Sequence, residues 1–378
     1  MIIVEEVLTA RQRKEFIDFP IKLYKGNKYY VPMLRSGEKL IFKPDYPYNK
    51  VCDVVFYNAY KDGKIAGRIQ GIIQRMANEK WGQKRIRFTR FDSIDDQEVA
   101  NALFDAVVAW GKAKGMEEFV GPLGYSDLER EGLLIEGFDQ PQTFEEQYSY
   151  EYYPTLIENY GFVKDVDWIE YQLRYPKVYN EKIKVVSNQL MEKFGLTTVC
   201  AKSPQEFIDV YSKRVFEMIE ITYSKLYGTM PLTDEIIDML LNDFKSIVRA
   251  KDLPVVLDKE GNVVAFALMF PSISDAVRKS KGRMTLPFII RFLKAKKHPK
   301  VVDLGLIGVR PDYESKGVAI AMISSLIDYI KDNNLEHLET NLMLEDNAHV
   351  HNILKHFERL ENKRRRCYKF EINKKENV

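Results

Sequence analysis

Leu304-Gly305-Leu306-Ile307-Gly308-Val309-Arg310-Pro311-Asp312-Tyr313-Glu314-Ser315-Lys316-Gly317-Val318-Ala319 reads as an apolar strand that passes through a turn into an amphipathic helix. Strand, glycine turn and helix together form a phosphate-binding layout. Gly317 lets the backbone approach a ligand closely, and the free amides of Lys316 to Ala319, at the positive end of a helix dipole, suit a pyrophosphate. Lys316 adds a point charge. A plain strand-to-helix turn with one glycine accounts for the same residues equally well.

The elements around this stretch repeat a plan. Downstream, 338–343 reads as a strand, 347–357 as a helix and 363–372 as a last strand; upstream, 197–201 is a strand and Ser203-Pro204 opens a helix. A hairpin over 254–269 turns at Lys259-Glu260-Gly261-Asn262. The first half has the same order. Val54-Val55-Phe56 and Ile65-Ala66 flank the turn Lys61-Asp62-Gly63-Lys64, and 85–91 is a third strand. Asp95-Asp96-Gln97-Glu98 opens a helix with Val99, Leu103, Phe104, Val107 and Val108 at helical spacing, ending near Gly115. A buried strand over 118–122, a short helix over 153–160 and a strand over 168–173 complete it. A connector containing Pro176 divides the chain into 1–177 and 178–378, an old duplication without obvious identity between the halves.

Composition excludes several classes. The 378 residues suit two cores, 45% are hydrophobic and 30% charged, and no apolar run reaches the roughly 20 residues of a bilayer span. Met1-Ile2-Ile3-Val4-Glu5-Glu6 lacks the basic start and long apolar stretch of a secretory signal, so a cytoplasmic location is expected. Cys52, Cys200 and Cys367 are odd in number and far apart, which suggests neither a disulfide framework nor a metal site. A net charge of +2 gives no general pull toward nucleic acid. All five histidines follow residue 297; His349, His351 and His356 share a helix, but no HExxH or cysteine partner completes a metal site.

The strand–turn–helix segment resembles the acyl-CoA loop of the GNAT superfamily, in which Arg or Gln is followed after two residues by Gly-x-Gly/Ala and a V-x-P turn precedes it. Val309-x-Pro311 and Gly317-x-Ala319 match, whereas the Arg/Gln position holds Glu314. Glu345-Asp346-Asn347 before an apolar helix resembles the family's Asn-led final helix, whose catalytic tyrosine position here is Leu354. The resemblance implies a fold of two tandem GNAT-like α/β (α+β) domains, each a mixed, mostly antiparallel sheet flanked by helices. It also implies acetyl-CoA or a longer acyl-CoA as co-substrate and no metal. Ile307, Val309, Lys316, Gly317, Val318, Ala319 and Asn347 would hold the acyl donor, and Asp303, at the start of the loop-bearing strand, would be the general base. A solvated strand-end aspartate is the alternative for Asp303.

In the first half the corresponding turn is Phe91-Asp92-Ser93-Ile94-Asp95-Asp96-Gln97-Glu98, with no glycine and four carboxylates, so this half is expected to lack a CoA site. Over nearly its whole length the chain is similar to uncharacterised bacterial tandem-GNAT proteins. The match rests on the order of Phe19-Pro20 with Lys22-Leu23-Tyr24, Gly67-Arg68, Gly121-Pro122, Glu136-Gly137-Phe138, Tyr152-Tyr153 and Gly161-Phe162.

These resemblances give an acyl-CoA-dependent N-acyltransferase acting on a small amine or amino-acid-like acceptor. Two rivals keep the architecture: a non-catalytic acyl-CoA-binding or sensory protein, favoured by Glu314 and Leu354, and an aminoacyl-tRNA-dependent transferase, disfavoured by the near-neutral charge. Tyr148, Tyr150, Tyr152, Tyr153, Tyr160, Phe162 and Trp168 pack a short helix and strand, or else Tyr152 and Tyr153 line an acceptor pocket between the halves. Lys294 to Lys300 and Lys363-Arg364-Arg365-Arg366 are basic runs. The amphipathic insertion 278–297 is a lid over an acyl chain, a peripheral membrane contact, or plain packing over the sheet edge.

Overall fold

The structure is a computed structural model that describes residues 1–314 and 316–372, without the side chain of His349. Asp96 shows how the local chemistry sets the elements. Its carboxylate accepts from the amides of Glu98 and Val99 at 3.1 and 3.3 Å and so starts the helix Gln97–Lys112. Val99, Leu103, Phe104 and Val107 of that helix are fully buried, as their spacing requires.

The strands of the first half are β1 (Ile2–Glu6), β2 (Cys52–Lys61), β3 (Lys64–Gln74), β4 (Arg85–Ser93), β5 (Glu118–Gly121), β6 (Leu133–Glu136) and β7 (Val163–Arg174). Those of the second are β8 (Thr197–Val199), β9 (Val255–Leu257), β10 (Val263–Pro271), β11 (Val301–Val309), β12 (His337–Thr340), β13 (Met343–Leu344) and β14 (Glu358–Glu371). They form a single mixed sheet, mostly antiparallel and flanked by helices, in the order β1-β2-β3-β4-β5-β14-β7-β12-β11-β10-β9-β8. Parallel pairing occurs at β4–β5 and β11–β12.

This order carries an exchange. β14, late in the chain, inserts between β5 and β7, while β7 leaves the first half's strands to pair with β12. The cores follow the strands. Tyr368, Phe370 and Ile372 pack with the first half's core around the helix Gln97–Lys112. Ile169, Tyr171 and Leu173 pack with the second half's core around the helix Val318–Asp332. Burying side chains of this size is worth about 1.5–3 kcal/mol each, so each half's core is completed by the other's strand.

Charge fixes the register of the exchanged pair. Lys363 of β14 stands opposite Glu170 of β7 and its ammonium lies 2.8 Å from Glu170 and 2.6 Å from Glu339; Arg365 reaches Glu170 at 2.6 Å. All four side chains are buried. A one-residue slip would set Lys363 against Ile169 and leave buried charges unpaired, which costs about 3–5 kcal/mol.

Candidate functional site

The site begins as a fork between two parallel strands. β11 and β12 keep register from Val301↔His337 to Leu304↔Thr340, and the Asn341 amide still donates to the Leu304 carbonyl at 3.1 Å. Beyond that they part. β13 turns aside to pair with Ile169 and Trp168 of β7, whereas β11 continues along β10 as far as Val309. The single strand expected over 338–343 is thus two strands with a break, and the break opens the fork.

A cleft of about 380 Å³ fills the opening. Leu304 to Val309 form one wall and Asn341 to Leu344 the other, with Ala319, Met322, Ile323 and Leu326 of the helix Val318–Asp332 beneath. Gly305 and Gly308 are accounted for on the opposite side of β11. An added Cβ at Gly308 would stand 2.6 Å from the Phe266 ring, and one at Gly305 2.9 Å from the Phe270 ring.

On its open edge, Ile307 is met by a tyrosine. Tyr223, the last residue of the helix Ser212–Tyr223, donates its hydroxyl to the Ile307 carbonyl at 2.9 Å and accepts from the Ile307 amide at 3.1 Å. Burial pushes this phenol up to about 12, with the hydrogen bond to Ile307 pulling the other way, so it stays protonated near neutrality.

The predicted donor-binding residues divide. Ile307, Val309, Ala319 and Asn347 line the cleft; Asn347 also caps the helix Ala348–Ile353 through the Val350 amide at 3.3 Å. Lys316, Gly317 and Val318 are not on its wall. The Lys316 ammonium lies over the Tyr313 ring, 3.7 Å from its centroid. Gly317 takes φ 74° as the helix cap, and a Cβ there would stand 2.5 Å from Leu190. The Lys316 and Gly317 amides are used within the turn, by Tyr313 and Glu314; among the described residues no acceptor is placed for the Val318 and Ala319 amides. Glu314 is exposed at the cleft's rim, and Leu354 lines the cleft where the resemblance would put a tyrosine.

Two expectations are corrected. Tyr152 and Tyr153 do not reach the cleft: they pack into the first half's core, where the Tyr152 hydroxyl donates to the Ser93 carbonyl at 2.7 Å. The Tyr153 hydroxyl accepts from the Ser93 amide at 3.1 Å and from the Tyr24 hydroxyl at 3.0 Å. Their aromatic and hydrogen-bonding needs are both met at home. Asp303 is neither solvated nor in the cleft. It is buried beside Glu339 of β12, its carboxyl oxygens have no hydrogen-bond partner, and burial together with Glu339 and Glu145 holds it far above the ordinary carboxylate value.

The first half reaches the cleft through acids that sequence reasoning missed. Asp127, Glu129 and Glu131, on the loop between β5 and β6, and Glu146, on the loop before Tyr148, line its far wall. The first loop is held by the Arg87 guanidinium, which donates to the Gly124 carbonyl at 3.3 Å and to Gly228 of the second half at 2.8 Å. Glu131 and Glu146 are buried; among the described residues neither Oε2 has a hydrogen-bond partner, and the Glu146 Oε2 lies 3.7 Å from the Arg365 guanidinium. Burial pushes Glu146 up to about 8; Arg365 pulls it down, and Glu170 and Glu145 oppose that pull. Burial and the neighbouring Asp127 and Glu146 push Glu131 far up, and burial takes Asp127 to about 6. The one signal in the sequence is the density of acids in Asp127-Leu128-Glu129-Arg130-Glu131, a stretch without helix or strand periodicity.

A strand fork, a helix start beside it and a tandem repeat of this plan define the class: the chain has the tandem GNAT fold. It is similar to the solved tandem GNAT protein from the clavulanic acid biosynthesis pathway, determined without AcCoA. The TM-score is 0.56 at 9% identity, with 98% of this chain and 99% of that one covered. By sequence it is similar to Protein YghO of Escherichia coli (strain K12), 26% identical over 384 residues, covering 98% of this chain and 95% of that protein. It is also similar to the bacterial ceramide synthase of Caulobacter vibrioides (strain NA1000 / CB15N), 23% identical over 321 residues, covering 82% of this chain and 80% of that protein. No family model matches the chain.

Proposed function

We propose that the protein transfers an acyl group from acyl-CoA to a primary amine that carries an apolar portion. The observation that carries this reading is one cleft with two kinds of wall: the β11 fork with Tyr223 from the second half, and the buried carboxyl groups of Glu131 and Glu146 from the first. The fork takes the acyl donor's arm, with the thioester carbonyl near Ile307 and Tyr223. The Val318 and Ala319 amides face the pyrophosphate, and Glu314, being exposed, turns to solvent. Leu226, Leu306, Leu342 and Met343 offer apolar surface to the acceptor.

The carboxylates supply what an ammonium needs. Burial and one another's charge make Asp127, Glu131 and Glu146 hold their protons to unusually high pH, and a positively charged acceptor is what favours their ionised forms on entering. Its charge in turn makes Glu131 release its own proton to solvent, and the carboxylate so formed takes the ammonium proton. The freed amine attacks the thioester carbon, the C–N bond forms and the C–S bond breaks, and the CoA sulfur leaves as thiolate and takes up the remaining proton that the nitrogen gives up, so that the products are the neutral amide and CoA thiol. The Tyr223 hydroxyl turns its hydrogen from the Ile307 carbonyl to the developing oxyanion. Glu131 replaces Asp303 as the proposed base because Glu131 is on the cleft and Asp303 is not. The similarity to a bacterial ceramide synthase supports this reading.

Glu314 and Leu354, both on the cleft, favour a second reading: a protein that binds acyl-CoA without turning it over. Turnover decides between them. With acetyl-CoA, longer acyl-CoAs and a panel of primary amines, release of CoA thiol is expected. Glu131→Gln is expected to lower kcat by about 10²-fold or more while calorimetry shows unchanged acyl-CoA affinity. Binding without thiol release for any amine selects the second reading, and full turnover in Glu131→Gln removes Glu131 from the mechanism.

A further inference from the structure

Between residues 276 and 302 the chain holds nine Lys and Arg and no Asp or Glu. Without this segment the net charge of +2 becomes −7, so the molecule's positive charge is concentrated in one place.

The structure places most of that segment on one helix, Leu286–Lys297, which starts where Thr285 accepts from the Phe288 amide at 3.4 Å. Phe288 and Phe292, one turn apart, stack at 5.8 Å and pack on Val31, Ile273 and Val277. That is the face the protein core requires. The opposite face is apolar as well: Leu286 is 71% exposed, Ile290 61%, Leu293 55% and Ile289 42%, with Met284 at 62% just before the helix. At 100° per residue, 286, 289, 290 and 293 form one stripe roughly opposite Phe288 and Phe292. Packing within the protein does not account for a second apolar stripe turned to solvent.

The cations flank this stripe and are largely unpaired. Among the described residues Lys281, Arg283, Arg291, Lys294 and Lys297 have no acidic partner, whereas Arg278 and Lys279 pair with Asp275 and Lys300 with Glu336. Among the described residues no helix is long and apolar enough to cross a membrane. An exposed apolar stripe bordered by free Lys and Arg matches the interface of an anionic bilayer, where side chains such as Leu and Ile enter the acyl boundary and cations meet lipid phosphates.

We propose that the helix Leu286–Lys297, with Met284 and Arg283 before it, docks the protein on an anionic lipid surface. The contact is peripheral and weakened by salt, because part of it is electrostatic. It leaves the cleft's chemistry untouched, since none of these residues lines the cleft.

The test is co-sedimentation of the full chain with phosphatidylglycerol-containing vesicles and with pure phosphatidylcholine vesicles. Binding is expected to the anionic vesicles and to fall with added salt. The double substitution Leu286→Asp with Ile290→Asp is expected to reduce binding by about tenfold or more, and Lys294→Glu with Lys297→Glu to reduce it as well. Both variants should melt at the wild-type temperature, as the replaced side chains are exposed. Three results would overturn the proposal: no binding to anionic vesicles, binding unchanged in the Leu286/Ile290 variant, or a salt-insensitive dimer lost in that variant while vesicles remain unbound. Duplex nucleic acid bound in place of vesicles, and lost only in the Lys294/Lys297 variant, would overturn it too.

Discussion

Each half of the sheet contains one fork between parallel strands, and the two forks have opposite contents. In the first half β4 pairs with β5 from Arg85↔Glu118 to Arg87↔Val120, and beyond it the space is packed. Phe88 and Phe91 are buried, with Phe88 5.2 Å from Phe119 and Phe91 4.6 Å from Phe104 and 5.6 Å from Tyr153. In the second half β11 offers Gly305 and Gly308 at its fork, and the space is a cleft. The acids differ in the same way. Asp92 at the closed fork is held by Arg68 at 2.8 Å and Asp96 caps a helix and pairs with Lys61, whereas at the open fork the Glu131 Oε2 has no hydrogen-bond partner among the described residues and the Glu146 Oε2 comes only to 3.7 Å from Arg365. A single backbone plan therefore gives a core or a site according to whether large rings fill the fork or leave it open.

Closing the open fork should have the largest effect. Ala319→Trp puts an indole into the cleft and is expected to lower acyl-CoA affinity by about 100-fold or more by calorimetry, with little change in melting, because the cleft is a space the fold does not need. Retained affinity would show that the donor does not use the fork.

Opening the closed fork should act on stability instead. Phe88→Ala removes a fully buried ring and is expected to cost about 3–5 kcal/mol in denaturant unfolding, while kcat per folded molecule stays at the wild-type value. A comparable loss of turnover would mean that the first half's fork serves the chemistry directly.

The smallest effect separates the two sets of acids by pH. Glu146 rises from an ordinary 4.5 to about 8, so between those values the folded protein keeps a proton that the unfolded chain has released, and this group's contribution to stability falls as pH rises. Glu38 runs the other way. Burial pushes it up, but Arg90 and Arg68 outweigh burial and hold it below 4.5, so its contribution is present above that value and lost as pH falls through its lowered one. Melting temperature is expected to decline modestly from pH 5 to 8, and Glu146→Gln should flatten that decline. An unchanged slope would place an ionised Glu146 in the cleft throughout.

Legibility in the sequence followed the range of the interactions. The helices Gln97–Lys112 and Tyr153–Tyr160 and the β2–β3 hairpin were readable because caps, turns and apolar spacing are local. The exchange of β7 and β14 was not, since a strand's alternation states which face is buried and not which neighbour it joins. The wall built from Ile307, Val309 and Ala319 was readable as one continuous motif. The facing acids were not, because Asp127, Glu131 and Glu146 lie on loops placed by distant contacts such as Arg87 with Gly228 and Tyr48 with Ser126 at 2.9 Å. Tyr152 and Tyr153 misled for a related reason: an aromatic cluster looks the same in sequence whether its hydroxyls find partners in the core or face a ligand.

The exchanged strands also bear on how the protein comes off the ribosome. Synthesis proceeds from the N-terminus, and the strand that completes the first half's sheet and core, β14, is translated after the other thirteen. A nascent chain that has emerged as far as residue 177 has β5 with a bare edge and Phe119 and Phe162 without their covering Phe370. The first half's sheet and core therefore reach their native composition only once the second half's last strand has been made.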